Sequence, residues 1–448
     1  MKTSKSIVLL PLALLLGSCI RPQNYHPGDK SLQRLTFHST PGTAGTNYFC
    51  DATVDEAYVE FDAQGRWFEP AQLNRAVRRI GELNTKPMFL MVFVHGWKNN
   101  ASEDSGNVWG FRRMLDYQAW MIHQKHPDMP VMGVYLGWPG AAANFGKFFT
   151  FWNREGIAYT VGAGDIEKTL KGLMQAAKGA DYQGKSTVVV IGHSFGGLVL
   201  ERAMIGILNE VLDGIQAGQA VSPPADLTLL LNEAGPASQA KPFLERLKAE
   251  GISYSTEDKT PYPLLASMTS DGDIATKLGL PGGEFLSPNR PATVQFPPEK
   301  PDIFGQTSSL PYDLQSAANF DALRSHAVAE LAQGSCGSGI LIPGVHQKDY
   351  CIATLTPAPR NNTPYWIMAL PQIFVPDHSR IFRNEVIAMT SAFLAHRGLM
   401  NSGTTRGCGP TPLRGPSIAA AAPAAALNAL APPPPSPPSR PTLKKGER

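Results

Sequence analysis

Residues Thr187 to Leu212 read TVVVIGHSFGGLVLERAMIGILNEVL. Thr187 to Ile191 is a short β-branched apolar run, the pattern of a strand covered on both faces, and Leu198 to Leu212 is an apolar stretch of helical length. Between them, Gly192, His193, Ser194, Phe195, Gly196 and Gly197 make a turn whose glycines keep Cβ atoms away from the flanking elements. A serine at so sharp a strand-to-helix turn is held in a strained backbone conformation that exposes its hydroxyl. The helix that begins here directs the backbone NH groups of its first turn, Phe195 NH foremost, toward any oxyanion formed at the serine.

Outward from this stretch the chain alternates short apolar runs with longer amphipathic ones, which is the α/β signature of a mostly parallel, doubly wound sheet with helices on both faces. Strands are predicted at Phe89 to Val94, Val131 to Leu136, Thr187 to Ile191, Leu227 to Leu231, Leu264 to Met268 and Trp366 to Leu370. Helical spacing recurs at Gln72 to Leu83, Phe111 to His123, Ile166 to Ala177 and Arg380 to His396. From about Gly279 to Thr363 the rhythm breaks into Pro, Gly and Ser, with only Asn319 to Ala332 reading as helix, so this stretch is expected to be an insertion before the last strand, either covering a pocket or decorating the surface.

The chain has 448 residues, 43% hydrophobic and 17% charged, enough for one large core. Its formal charge of +3 is spread thinly, which argues against a nucleic-acid partner. The paired His123 and His126 lack a nearby carboxylate and read as solvent-facing, so no metal and no cofactor is expected. The domain is expected over 56–401, preceded by a linker at 19–55 and followed by an Ala/Pro-rich tail at 402–448 that cannot build a core.

The Gly-flanked Ser194, together with Val94, His95, Gly96 and Trp97 after the strand from Phe89, resembles the α/β-hydrolase superfamily, specifically bacterial esterase or lipase-like hydrolases with an HGW turn; the resemblance spans Val59 to Arg397. It implies an α/β-hydrolase fold in which Trp97 NH joins Phe195 NH at the oxyanion, Gly96 keeps that backbone close and His95 braces the loop. The HGGG form of some esterases is absent. A serine hydroxyl needs an imidazole to take its proton and a carboxylate to orient that imidazole, in the chain order Ser, acid, His. His378, after the last strand, is the expected base. Asp273 is the favoured acid, with Asp271 and Glu233 as alternatives, since all three end a strand at the same sheet edge. Trp138, Phe148, Phe149, Phe151 and Trp152 are candidates for an apolar wall or for core. An ester of a small molecule or lipid is the expected substrate, although the same constellation serves thioesters, amides and acyl transfer, and a fold kept only for binding is the rival from another class.

Lys2 and Lys5, the apolar Ile7 to Leu16 and the small residues after it read as an export signal over 1–18, too short to span a bilayer. Leu16, Gly17, Ser18 and Cys19 resemble the bacterial lipobox, which implies a lipid on Cys19 and a membrane-anchored lipoprotein; Ile20 in place of Asp favours the outer membrane by the same resemblance. Of five Cys, the other four form an even set suited to an oxidising compartment. Nearness in sequence favours Cys336 with Cys351, leaving Cys50 with Cys408, and the absence of any CxxC pair argues against zinc.

Overall fold

The computed structural model describes residues 23–37, 50, 52–141, 150–252, 262–280, 300–308, 310–332, 335–355 and 361–400. In chain order these carry β1 (Leu32–Thr36), β2 (Thr53–Glu60), α1 (Pro70–Leu83), β3 (Phe89–Val94), α2 (Gly106–His123), β4 (Val131–Gly137), α3 (Thr150–Gly162), α4 (Asp165–Lys178), β5 (Thr187–His193), α5 (Phe195–Gln216), β6 (Leu227–Leu231), α6 (Ala237–Ala249), β7 (Leu265–Ser270), β8 (His326–Glu330), β9 (Ile340–Val345), β10 (Lys348–Thr354), β11 (Tyr365–Leu370) and α7 (Asn384–His396). The strands form one sheet in the order β1-β2-β4-β3-β5-β6-β7-β11-β8-β10-β9. From β2 to β8 every pairing is parallel, and only the margins, β1 on β2 and the β8-β10-β9 end, are antiparallel.

Because successive side chains of a strand point to opposite faces, each central strand feeds two cores. Leu90, Val92 and Val94 of β3 join Val188 and Val190 of β5 on the face covered by α1, α4 and α5, where Ile80, Leu170 and Leu198 are buried. Phe89, Met91 and Phe93 join Val189 and Ile191 on the other face, under Phe111 and Leu115 of α2 and Val386 and Phe393 of α7. Each such side chain, fully buried, is worth about 1.5 to 3 kcal/mol of transfer free energy. The apolar spacing in α1, α2 and α4 is therefore the reason those helices lie where they do.

The winding reverses between two neighbours. From β3 the chain leaves through α2 toward β4 on one side, and from β5 it leaves through α5 toward β6 on the other. A crevice opens beyond the carboxyl ends of two strands whose connections part in this way. The loop His95–Trp97 and the turn at Ser194 both sit at that crevice.

Three expectations change. Residues 19–55 are not a bare linker: their described part includes β1 and the start of β2, and β2 runs parallel beside β4. Asn319–Ala332 is not a helix, for it forms two short turns and then β8, whose residues pair with both β10 and β11, so sheet pairing outweighs the helix preference of its alanines. The described part of the 279–363 insertion extends the sheet by three strands beyond β11, with Cys336 and Cys351 joined in a disulfide at that margin. The signal 1–18, Cys19, Phe148, Phe149, Cys408 and the tail 402–448 lie outside the described residues.

Candidate active site

Ser194 sits between the last residue of β5 and the first of α5 with φ 57° and ψ −127°, a left-handed conformation that a serine adopts only under constraint. The constraint is visible in its neighbours. A Cβ on Gly192 would lie 2.7 Å from the carbonyl oxygen of Gly196, and one on Gly196 would meet the carbonyl oxygens of Val94 and His95. Ser194 NH donates to Leu231 O at 3.1 Å, and Ser194 O accepts from Gly197 NH at 2.8 Å and Ala234 NH at 3.2 Å. The turn is thus clamped by β6 and by its own helix.

His378, on the loop after β11, places Nε2 2.7 Å from Ser194 Oγ and Nδ1 2.9 Å from Asp273 Oδ2. Asp273, on the loop after β7, is fully buried; its Oδ1 accepts from Ala275 NH at 3.0 Å and Thr276 NH at 3.2 Å, and its Oδ2 from Thr276 Oγ at 2.8 Å. Burial alone would push its carboxyl up, but the charge of His378, its hydrogen bond and those from Thr276 outweigh burial and hold it below the ordinary range. An ionised carboxylate fixes the proton on Nδ1, which leaves Nε2 to accept from the serine hydroxyl.

The two alternative acids lie elsewhere. Asp271 is exposed and pairs with Lys277 at 3.1 Å. Glu233 is buried beneath α5, accepts from Ser267 Oγ at 3.0 Å and neighbours Glu201, which accepts from Tyr365 OH and, at 2.6 Å, from Gln239 Nε2. Burial, with the Glu201 charge second, raises Glu233 well above the carboxylate range, and burial raises Glu201 as well.

Gly96 lies against Ser194: a Cβ there would be 2.8 Å from Ser194 Cβ and 2.9 Å from His193 Nδ1. His95 holds this loop. Its Nε2 accepts from Trp138 NH at 3.0 Å, so Nδ1 carries the proton and donates to Gly96 O at 2.9 Å. Trp138 stacks on the His95 ring and donates through Nε1 to His95 O at 2.6 Å. Burial pushes His95 down to about 4, so the ring stays neutral at neutral pH. Trp97 follows Gly96, and its ring packs 6.3 Å from that of Phe195. Trp138 is therefore core and loop brace; Phe151 and Trp152 lie in α3.

His193 has a role that its position in the Gly-rich turn alone does not show. Its Nε2 donates to the carbonyl oxygen of His378 at 2.8 Å, and the same oxygen accepts from Asn232 Nδ2 at 3.2 Å. Burial and then the charge of His378 lower His193 to about 3, so its ring stays neutral at neutral pH. Asn232, at φ 45° after β6, also accepts Ser270 NH at 2.9 Å and so ties the β6, β7 and β11 ends together. Ser270 Oγ donates to Val375 O, and a Cβ on Gly272 would lie 2.5 Å from Pro376 O, so the loops that carry Asp273 and His378 are pressed together. Asn232, Ser270 and Thr276 escaped the sequence reading; an Asn directly after an apolar strand is the only signal any of them leaves.

His123 Nε2 bonds Met129 O at 2.9 Å, and among the described residues no group of three or more His, Cys, Asp or Glu is arranged to hold a metal ion. No family model, curated protein or solved structure matches the chain.

Proposed function

We propose that the protein is a serine hydrolase with an α/β-hydrolase fold that cleaves carboxylic esters through an acyl-enzyme, and that it is an exported lipoprotein held to a membrane through Cys19. The observation that carries the catalytic reading is the unbroken chain from Ser194 Oγ through both ring nitrogens of His378 to the buried Asp273, built on a serine at positive φ. Ser194 Oγ attacks the ester carbonyl as its proton passes to His378 Nε2, and the imidazolium formed is stabilised by Asp273. The backbone NH groups of Phe195 and Trp97 receive the oxyanion. Collapse of the tetrahedral intermediate expels the alcohol, which takes the proton from Nε2; water then repeats the sequence on the acyl group and frees the acid.

A fluorophosphonate probe tests this directly. The folded wild type should be labelled and Ser194→Ala should not; an unlabelled wild type, or equal labelling of both, sinks the catalytic reading. The anchor is tested separately, by the mass of the mature N-terminal peptide, which should carry diacylglyceryl and acyl groups on Cys19.

A further inference from the structure

Asn24 to Gly28, a few positions after Cys19, are locked onto the same sheet edge that carries Ser194. Glu60, the buried last residue of β2, accepts the backbone NH groups of Tyr25 at 2.9 Å and His26 at 2.8 Å. The His26 ring stacks on Tyr58 at 3.6 Å and reaches Glu103 at 3.2 Å, itself paired with Arg112 at 2.6 Å. Gln72 Nε2 donates to His26 O at 2.9 Å and to Asn24 Oδ1 at 3.0 Å, and Gly28 NH donates to Glu69 at 2.9 Å. Backbone groups, a stacked ring and a buried carboxylate all take part, so Asn24 to Gly28 form a clasp. Tyr25 OH also accepts from Asn100, in the loop that follows Trp97, so the clasp adjoins the loop that lies against the nucleophile.

Only four Cα-to-Cα steps separate Cys19 from Gln23, a reach of at most about 14 Å. Glu60 ends β2, and Ser194 lies beyond the end of β5, three strands away in the sheet and thus about 14 Å to the side. The opposite ends of the strands are farther off, since the eight residues of β2 alone are about 26 Å long. A tether shorter than the strand it hangs from leaves the domain no room to turn its other edge to the bilayer.

We infer that lipid on Cys19 holds the catalytic edge of the sheet against the membrane, so that the substrate is an ester resident in the bilayer surface. This rests on the serine-hydrolase and lipid-anchor readings above. The clasp sets orientation, and the short tether sets the local concentration of membrane esters at Ser194.

The test inserts a Gly/Ser segment of about 30 residues between Pro22 and Gln23, which lets the domain wander by roughly 30 Å and leaves every described contact untouched. Lipidated wild type and insertion variant, each in phosphatidylethanolamine/phosphatidylglycerol vesicles, are compared on a fluorogenic long-chain diacyl ester in the bilayer and on a short-chain p-nitrophenyl ester in solution. Equal rates on the soluble ester and a fall of about tenfold or more on the bilayer ester in the variant are expected. Equal bilayer rates for the two proteins, or a wild type that ignores the bilayer ester, overturn the inference. Loss of soluble turnover in both would instead strike the hydrolase reading, and an unmodified Cys19 the anchor; either failure also removes the inference, and the two readouts tell them apart.

Discussion

The two halves of the proposed catalytic edge are held by different means. On the Ser194 side, between β3 and β5, backbone touches backbone, and Gly96, Gly192 and Gly196 leave no space for a single added carbon. On the His378 and Asp273 side, where the loops after β6, β7 and β11 meet, polar side chains grip loops: Asn232 and, reaching across from the end of β5, His193 hold the His378 carbonyl, while Thr276 holds Asp273. A half built on close contact fails abruptly when an atom is added, whereas a half built on hydrogen bonds degrades in steps.

The largest expected effect falls on the link between the halves. Asp273→Asn keeps the shape and loses the anion, so kcat should drop by about 10⁴-fold with little change in KM. A drop of less than about tenfold would mean that His378 does not depend on this carboxyl. Next comes Gly196→Ala, whose methyl must displace the carbonyls of Val94 and His95; overpacking of this kind costs about 1 to 3 kcal/mol, and both thermal stability and activity should fall together. Asn232→Ala should be milder and different in kind, lowering kcat by about tenfold as the base loop loosens while probe labelling of Ser194 persists more slowly. If Asn232→Ala unfolds the protein and Gly196→Ala does not, the contrast is inverted and wrong.

The smallest effect concerns Glu233, behind α5. Its folded carboxyl titrates well above its unfolded value, so the stability it contributes is complete below the unfolded pKa and is lost as pH rises toward the folded one. Glu233→Gln removes that loss. The melting temperature of the variant should exceed that of the wild type by a margin that widens from pH 5 to pH 9, and a constant margin would show that the carboxyl is not protonated in the fold.

The sequence displayed the centre of the sheet well and its margins poorly. β3, β4, β5 and β6 are largely apolar because both their faces are covered, and a run of that kind has few other uses. β2 is equally buried yet carries Asp55, Glu56 and Glu60, whose charges are met by Arg79, Arg112 and the backbone of Tyr25 and His26. Partners so distant along the chain leave no local pattern, so no strand is read there and the first residues of β2, Thr53 to Asp55, fall in the expected linker. β8 hid among alanines for a related reason, since only pairing with β10 and β11 reveals it. At the site, Ser194, His378 and Asp273, which the structure brings together, are legible because the proposed chemistry demands those residue types after strands. Asn232, Ser270 and Thr276 hold carbonyls, an amide and the Asp273 carboxylate, tasks that many residue types can serve, and apart from the place of Asn232 directly after an apolar strand nothing marks them.

The dihedrals of Ser194 bear on how such a protein would fare under selection. A non-glycine residue in that region of backbone space costs of order 1 to 3 kcal/mol, which glycine would not bear. Ser194→Gly should therefore fold more stably than the parent while losing the attacking oxygen. A library sorted on heat resistance alone would enrich inactive clones at this codon, so any stabilisation campaign has to screen for turnover in the same round.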